Sequence, residues 1–93
     1  MTIGILKLSL FIPFSNSLKE KRMVLSSFKQ RLRNKFNVSI TTLDDQDKWQ
    51  RIELAVVCVG NNGRAVDTLL NAVVGFTKEF NQLELIDYTL ELI

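Results

Sequence analysis

Apolar and polar positions alternate with a period of two in the first and last segments of the chain, the pattern typical of half-buried β-strands. The first predicted strand covers residues 2–12 and ends at Pro13, whose ring nitrogen has no hydrogen to donate. The last covers residues 83–93, "LELIDYTLELI". Residues 52–59, "IELAVVCV", are almost all apolar, which predicts a strand buried inside a sheet.

Two other segments show the apolar spacing of three and four residues that is typical of amphipathic helices. The first helix is predicted over residues 18–35, with Ser17 and Glu20 arranged as an N-terminal capping box. The second follows "GNNGR", where Asn61 or Asn62 is the candidate N-cap. Its apolar positions are Val66, Leu69, Leu70, Val73, Phe76 and Phe80.

The resulting order of elements is β-α-β-β-α-β, because a shorter strand begins at Val38 and fades by Thr42. The first and third strands are the most apolar, as expected for the centre of a sheet, and the other two are more polar, as expected for its edges. The sequence therefore predicts an α+β, ferredoxin-like sandwich that forms a single domain over residues 1–93. It has a four-stranded antiparallel sheet with both helices on one face.

The composition argues against several classes of chemistry. The 93 residues include no histidine and one cysteine, Cys58, so we expect neither a zinc site nor an internal disulfide. Cys58 lies in an apolar run and is predicted to be a core residue. The loop after the first strand, "PFSNS", lacks the glycines of a phosphate-binding loop. We therefore expect no enzymatic activity, no cofactor and no metal.

The N-terminal apolar run "TIGILKLSLFIP" is too short to span a bilayer, which takes about 20 residues. It contains Lys7 and Ser9, and it has neither a basic leader nor a cleavage site of small residues. We expect a cytoplasmic protein with no membrane partner.

Charge is distributed unevenly along the chain. Residues 18–36 hold seven basic side chains and one acid, whereas the rest of the chain holds five basic and nine acidic ones. Four of the cations form one stripe beside the apolar face of the first helix: Lys19, Arg22, Lys29 and Arg33. Lys21 could join Lys19 and Arg22 in holding an anion at the helix N-terminus. A basic stripe is typical of nucleic-acid binding; the alternative is a solvated face whose long side chains cover the core edges.

The sheet face away from the helices is predicted to be unusually apolar. Among its apolar positions are Ile5, Phe11, Val57 and Val59. A contiguous apolar patch usually marks an interaction surface, so this face is a candidate homodimer interface. The alternative is that side chains from residues 44–51 cover it.

The segment "DQDKWQR", residues 45–51, joins two predicted strands without the Asn-Gly or Gly-Gly of a tight hairpin. We interpret it as a hairpin closure or docking edge, formed by Asp47, Trp49, Gln50 and Arg51. A divalent cation held by the three aspartates of residues 44–47 is the alternative. The glycine of a calcium-binding loop is missing, however, and two basic residues follow within the segment.

The stretches "SLKEKRMVLSSFKQRLRNKFNVS" and "DQDKWQR", followed by a buried strand, resemble the bacterial YlxP-like family, catalogued as a domain of unknown function. The resemblance covers nearly the whole chain and implies a ferredoxin-like fold. Genes of this family tend to lie beside those for transcription elongation and translation initiation, so the resemblance also points to ribosome association. It assigns no catalytic role to any matching residue.

Two functions follow as hypotheses. The first is a small non-enzymatic accessory protein that binds structured RNA, with ribosomal RNA or the ribosome as partner, through the basic helix. The second is a homodimeric protein–protein interaction module joined through the open sheet face. Steep salt dependence of RNA binding would favour the first, and loss of a dimer on charging the sheet face would favour the second.

Overall fold

The structure is a computed structural model that describes residues 1–13, 17–46 and 51–93, with the backbone alone for residues 44–46. Six elements follow one another in the predicted order. They are β1 (Thr2–Phe11), α1 (Leu18–Lys35), β2 (Ser39–Gln46), β3 (Arg51–Gly60), α2 (Gly63–Glu79) and β4 (Glu84–Leu92).

The four strands form one antiparallel sheet in the order β2-β3-β1-β4. The two most apolar strands, β1 and β3, are therefore central, which confirms the predicted topology. Their register pairs Leu6 with Val56 and Leu8 with Leu54, all fully buried beneath the helices. Successive residues of a strand point to opposite faces, so the intervening residues of β1 and β3 form the open face.

Both helices begin at a capped residue. The Ser17 hydroxyl accepts a hydrogen bond from the Glu20 backbone N–H at 3.1 Å, which confirms this half of the predicted capping box. At α2, the side-chain oxygen of Asn62 accepts from the Ala65 N–H at 2.9 Å, so Asn62 rather than Asn61 is the N-cap. Such caps satisfy backbone donors that have no partner inside the helix.

The core between the helices and the sheet is built on aromatic contacts. Phe28 of α1 is fully buried, and its ring centroid lies 5.2 Å from that of Phe80 and 6.0 Å from that of Phe76. Phe36, just beyond α1, contacts Phe76 edge-on at 6.0 Å. Edge-on and tilted arrangements are the favourable geometries for aromatic rings, so this cluster joins the two helices.

The strand β2 is longer than the sequence predicted. It continues past Thr42 to Gln46, and the register against β3 shifts between Thr42 and Asp44. The pairing of Gln46 with Arg51 then leads into the turn. Strand propensity is low for the acidic residues here, and the backbone pairing offered by β3 outweighs it.

Candidate nucleic-acid interface

Four basic side chains run along the side of α1 that faces the edge strand β2. We call Lys19, Arg22, Lys29 and Arg33 the basic flank. The buried face of α1 carries Leu25, Phe28 and Leu32, which pack against the core. The helical period then places the flank at the border between the core and solvent, as the sequence predicted.

The C-terminal half of the basic flank is tied to β2. The Lys29 ammonium donates a hydrogen bond to the Thr42 hydroxyl at 2.6 Å, and Nη2 of Arg33 donates to the Ile40 carbonyl at 3.4 Å. Lys29 is half-buried and Arg33 is exposed. These two cations therefore hold α1 against the sheet edge, while their charge stays at the surface.

The two cations in the N-terminal half of the flank have no partner within the part of the chain that the structure describes. Lys19 and Arg22 are both exposed, and neither makes a hydrogen bond, ion pair or ring contact there. Three residues apart, they lie on adjacent turns of one helix face. They form the part of the flank that is available to an anionic partner.

The other cations of α1 take part in packing. The Arg31 guanidinium lies 5.6 Å from the Phe80 ring centroid, and the Lys35 ammonium lies 5.5 Å from that of Phe76. Lys21 is 2% exposed. It precedes Leu25 by four residues and Phe28 by seven, the spacing that places it on the buried face. The anion site expected at the helix N-terminus therefore lacks Lys21.

Negative charge is concentrated on the opposite edge strand. The three acids of β4 are exposed, and this strand has no basic residue: Glu84, Asp87 and Glu91. The sheet order places β4 at one edge and β2, beside the basic flank, at the other. Among the side chains that the structure describes, the basic flank and the acids of β4 thus lie at opposite edges of the sheet.

The predicted hairpin closure is described only in part. Arg51 is exposed and opens β3, where it pairs with Gln46 on one side and Phe11 on the other. The remaining residues of that prediction lie outside the described residues: Asp47, Trp49 and Gln50. The side chains of the neighbouring aspartates, at positions 44 and 45, also lie outside them.

The open sheet face has the apolar side chains that the sequence placed there. Ile5 pairs with Val57 across β1 and β3, and both are half-buried, whereas Val59 is 64% exposed. Phe11, also half-buried, lies further along the same face. Two backbone hydrogen bonds of 2.8 and 2.9 Å join Ile3 and Ile93, so pairing with β1 continues one residue past the end of β4. This pairing lengthens the apolar end of the open face.

The described residues form one groove that is a candidate site for a small molecule. A groove of about 560 Å³ lies between Pro13, Met23 and Gln82, and Glu20 is the one charged side chain among its described lining residues. Within residues 1–13, 17–43 and 51–93, whose side chains the structure describes, there is no cluster of metal-binding side chains. No helix in these ranges is long and apolar enough to span a membrane.

The single cysteine is a core residue, as predicted. Cys58 is 7% exposed and faces the helices. Burial raises the pKa of its thiol above the usual value, and a hydrogen bond with the Gly4 backbone opposes part of that rise. Because a thiolate is the nucleophilic form, the raised pKa keeps Cys58 protonated and unreactive at neutral pH.

Fold and surface together define a small ferredoxin-like protein with a basic helix flank along one sheet edge. The family model described as "Protein of unknown function (DUF503)" matches residues 3–90, and the chain belongs to this family. It is 37% identical over 82 residues to the "Uncharacterized protein YlxP" of Bacillus subtilis (strain 168), covering 88% of this chain and 89% of that protein. The resemblance to the YlxP-like family is thereby confirmed.

A solved structure shares the fold at low sequence identity. "Structural Genomics, protein YJCS" superimposes with a TM-score of 0.61 over 96% of both chains, at 11% identity. At that identity the match supports the predicted α+β architecture and carries no functional inference.

Proposed function

We propose that this protein is a non-enzymatic RNA-binding accessory factor that uses the basic flank to contact phosphates of structured RNA. The observation that carries the proposal is the position of Lys19 and Arg22, which are exposed and have no partner among the described residues. Phosphate contacts give affinity and orientation without reading sequence. Ribosomal RNA is the first target to test, because of the gene neighbourhood of the family.

The position of the basic flank along α1 supports contact with a stretch of RNA backbone rather than with a single phosphate. From Lys19 to Arg33 the helix rises by roughly 21 Å at about 1.5 Å per residue. Lys29 and Arg33 are held by β2, so their positions are fixed before binding. Side chains already ordered lose less conformational entropy when they bind. An RNA backbone following the edge of the sandwich would meet all four cations.

The sheet is a poor alternative for RNA. Base stacking on an open sheet needs aromatic side chains, and this face offers only Phe11 on β1 and none on β3. Polar positions near the middle of the face include Glu53 and Asp87, which would repel phosphates. The proposal therefore assigns RNA to the α1 side of the sandwich alone.

The experiment is binding of purified protein to small-subunit ribosomal RNA and to ribosomal subunits. The double variant Lys19→Glu/Arg22→Glu should remain folded and bind at least ~tenfold more weakly, because two phosphate contacts become repulsions. The matched control is Arg64→Glu/Lys78→Glu, which reverses two exposed cations of α2. Equal binding by wild type and the α1 variant, or equal losses in both variants, would refute the proposed site.

A further inference from the structure

The open sheet face carries charged side chains in neighbouring rows, in addition to its apolar end. On β1, Lys7 stands exposed in the row next to Ser9, and Ser9 is flanked by Glu53 of β3 and Asp87 of β4. These side chains line a shallow depression of about 150 Å³. Within the described ranges, Lys7 makes no hydrogen bond or ion pair.

We propose that a second copy of this chain covers the open face, with Lys7 of each copy seated between Glu53 and Asp87 of the other. A two-fold axis lying between the sheets and perpendicular to the strands produces this pairing. If it passes midway between the rows of Lys7 and Ser9, each Lys7 faces the partner's Ser9 position and the acids on either side of it. A two-fold interface repeats every such contact twice.

The same position of the two-fold axis also brings apolar residues of the two copies together. Two positions along β1 from the Lys7–Ser9 contact, Ile5 of one copy faces Phe11 of the other.

Shifting the axis so that Lys7 lies on it would bring the two ammonium groups together, and like charges in an interface oppose association. On the stacked β4 strands, this register places Glu84 opposite the partner's Glu91, and the centred register places Asp87 opposite the partner's Glu91. Both registers contain one such pairing of acids, so the Lys7 contacts decide between them and favour the axis between Lys7 and Ser9.

The area of the face requires an overlap that includes the charged rows. In this register the rows of Ile5 to Phe11 overlap, about seven residues per strand. Four strands about 4.8 Å apart, at about 3.3 Å per residue, then cover roughly 440 Å² per copy, and two copies bury about 900 Å², the size of a weak interface. The apolar end alone would bury about half of that, which is typical of crystal-packing contacts. A weak, reversible dimer that uses the rows from Ile5 to Phe11 is the expected result.

The test is sedimentation of the purified full chain and of two variants, alone and mixed. Lys7→Glu should weaken dimerisation at least ~100-fold, because a third acid enters the partner's depression. Glu53→Lys should weaken it at least ~tenfold, because Lys7 then meets a cation. In the mixture each new charge meets its opposite, so heterodimers should form with an affinity within about tenfold of wild type.

Two further variants make the result decisive. Lys78→Glu changes an exposed lysine of α2, outside the face, and should leave the dimer unchanged. Ile5→Glu places a charge against the partner's Phe11 and should yield monomers with an unchanged circular dichroism spectrum. The proposal is overturned if the wild type stays monomeric at high concentration, if Lys7→Glu behaves like Lys78→Glu, or if the mixture forms no heterodimer.

Discussion

The two helices perform the same structural task with very different charge. Each begins at a side-chain cap, packs on the same face of the sheet and contributes to one aromatic cluster. The helix α2 has two cations and two acids, so its formal charge is zero. In contrast, α1 has seven cations and one acid.

Packing of a helix on this sheet does not require a surplus of basic residues. A helix of balanced charge packs equally well on the neighbouring strands, with five residues buried against four for α1. Arg31, Lys35 and the buried Lys21 have packing roles, but Lys19 and Arg22 have no partner among the described residues. This surplus of exposed charge supports a role in binding.

The largest loss of stability is expected from a change in the aromatic cluster to which both helices contribute. Phe28→Ala removes the ring that joins α1 to Phe76 and Phe80, and it should lower the free energy of unfolding by about 3–5 kcal/mol. Denaturant titration measures the loss. A loss below about 1 kcal/mol would show that the aromatic cluster does not hold the helices together.

A smaller loss should follow from crowding α2 against the sheet. A Cβ at Gly4 would lie 2.6 Å from Cδ1 of Leu70 and would also overlap Val66. Gly4→Ala should therefore cost about 1–3 kcal/mol of stability, because both side chains must move within a packed core. Thermal unfolding followed by circular dichroism would reveal it; an unchanged midpoint would contradict the close approach of α2 to β1.

The two caps should be nearly equivalent. Ser17→Ala and Asn62→Ala each remove the acceptor for one N–H at the start of a helix. Each should lower stability by about 1 kcal/mol in urea titrations. A loss several times larger at one cap would mean that the side chain has a second structural role there.

The smallest change in stability is expected from substituting Lys19 and Arg22, the two cations of the basic flank that have no partner among the described residues. Lys19→Gln/Arg22→Gln removes two exposed charges and should change the free energy of unfolding by no more than about 0.5 kcal/mol. The same pair of changes should clearly weaken RNA binding. A large loss of stability in urea would show that the fold needs these residues after all.

Much of this fold follows from the sequence, because periodicity reports burial directly. The bounds of α1 are those predicted, and the polarity of the strands identified the central pair correctly. The extension of β2 could not be predicted, because it depends on pairing with β3 rather than on its own residues. The helical phase of Lys21 was a usable signal for burial, but its charge alone suggested exposure.

The surface was harder to predict than the core. The helical angle located the basic flank, yet it could not distinguish Lys29, which bonds to Thr42, from Arg22, which has no partner in the described ranges. The depression beside Lys7 lies next to a register shift between β1 and β4 that follows Ser9. A bulge of this kind alters which residues are neighbours and leaves little trace in an alternating pattern.

The salt dependence of RNA binding shows whether the basic flank contacts RNA phosphates. For wild type and Lys19→Gln/Arg22→Gln, the slope of log K against log salt concentration counts phosphate contacts, at roughly 0.7–0.9 each. Because two phosphate contacts are lost, the slope should be shallower by about 1.4–1.8 in the α1 variant. The α2 pair Arg64→Gln/Lys78→Gln should retain the wild-type slope. Equal slopes for wild type and the α1 variant would contradict the assignment of RNA to the basic flank.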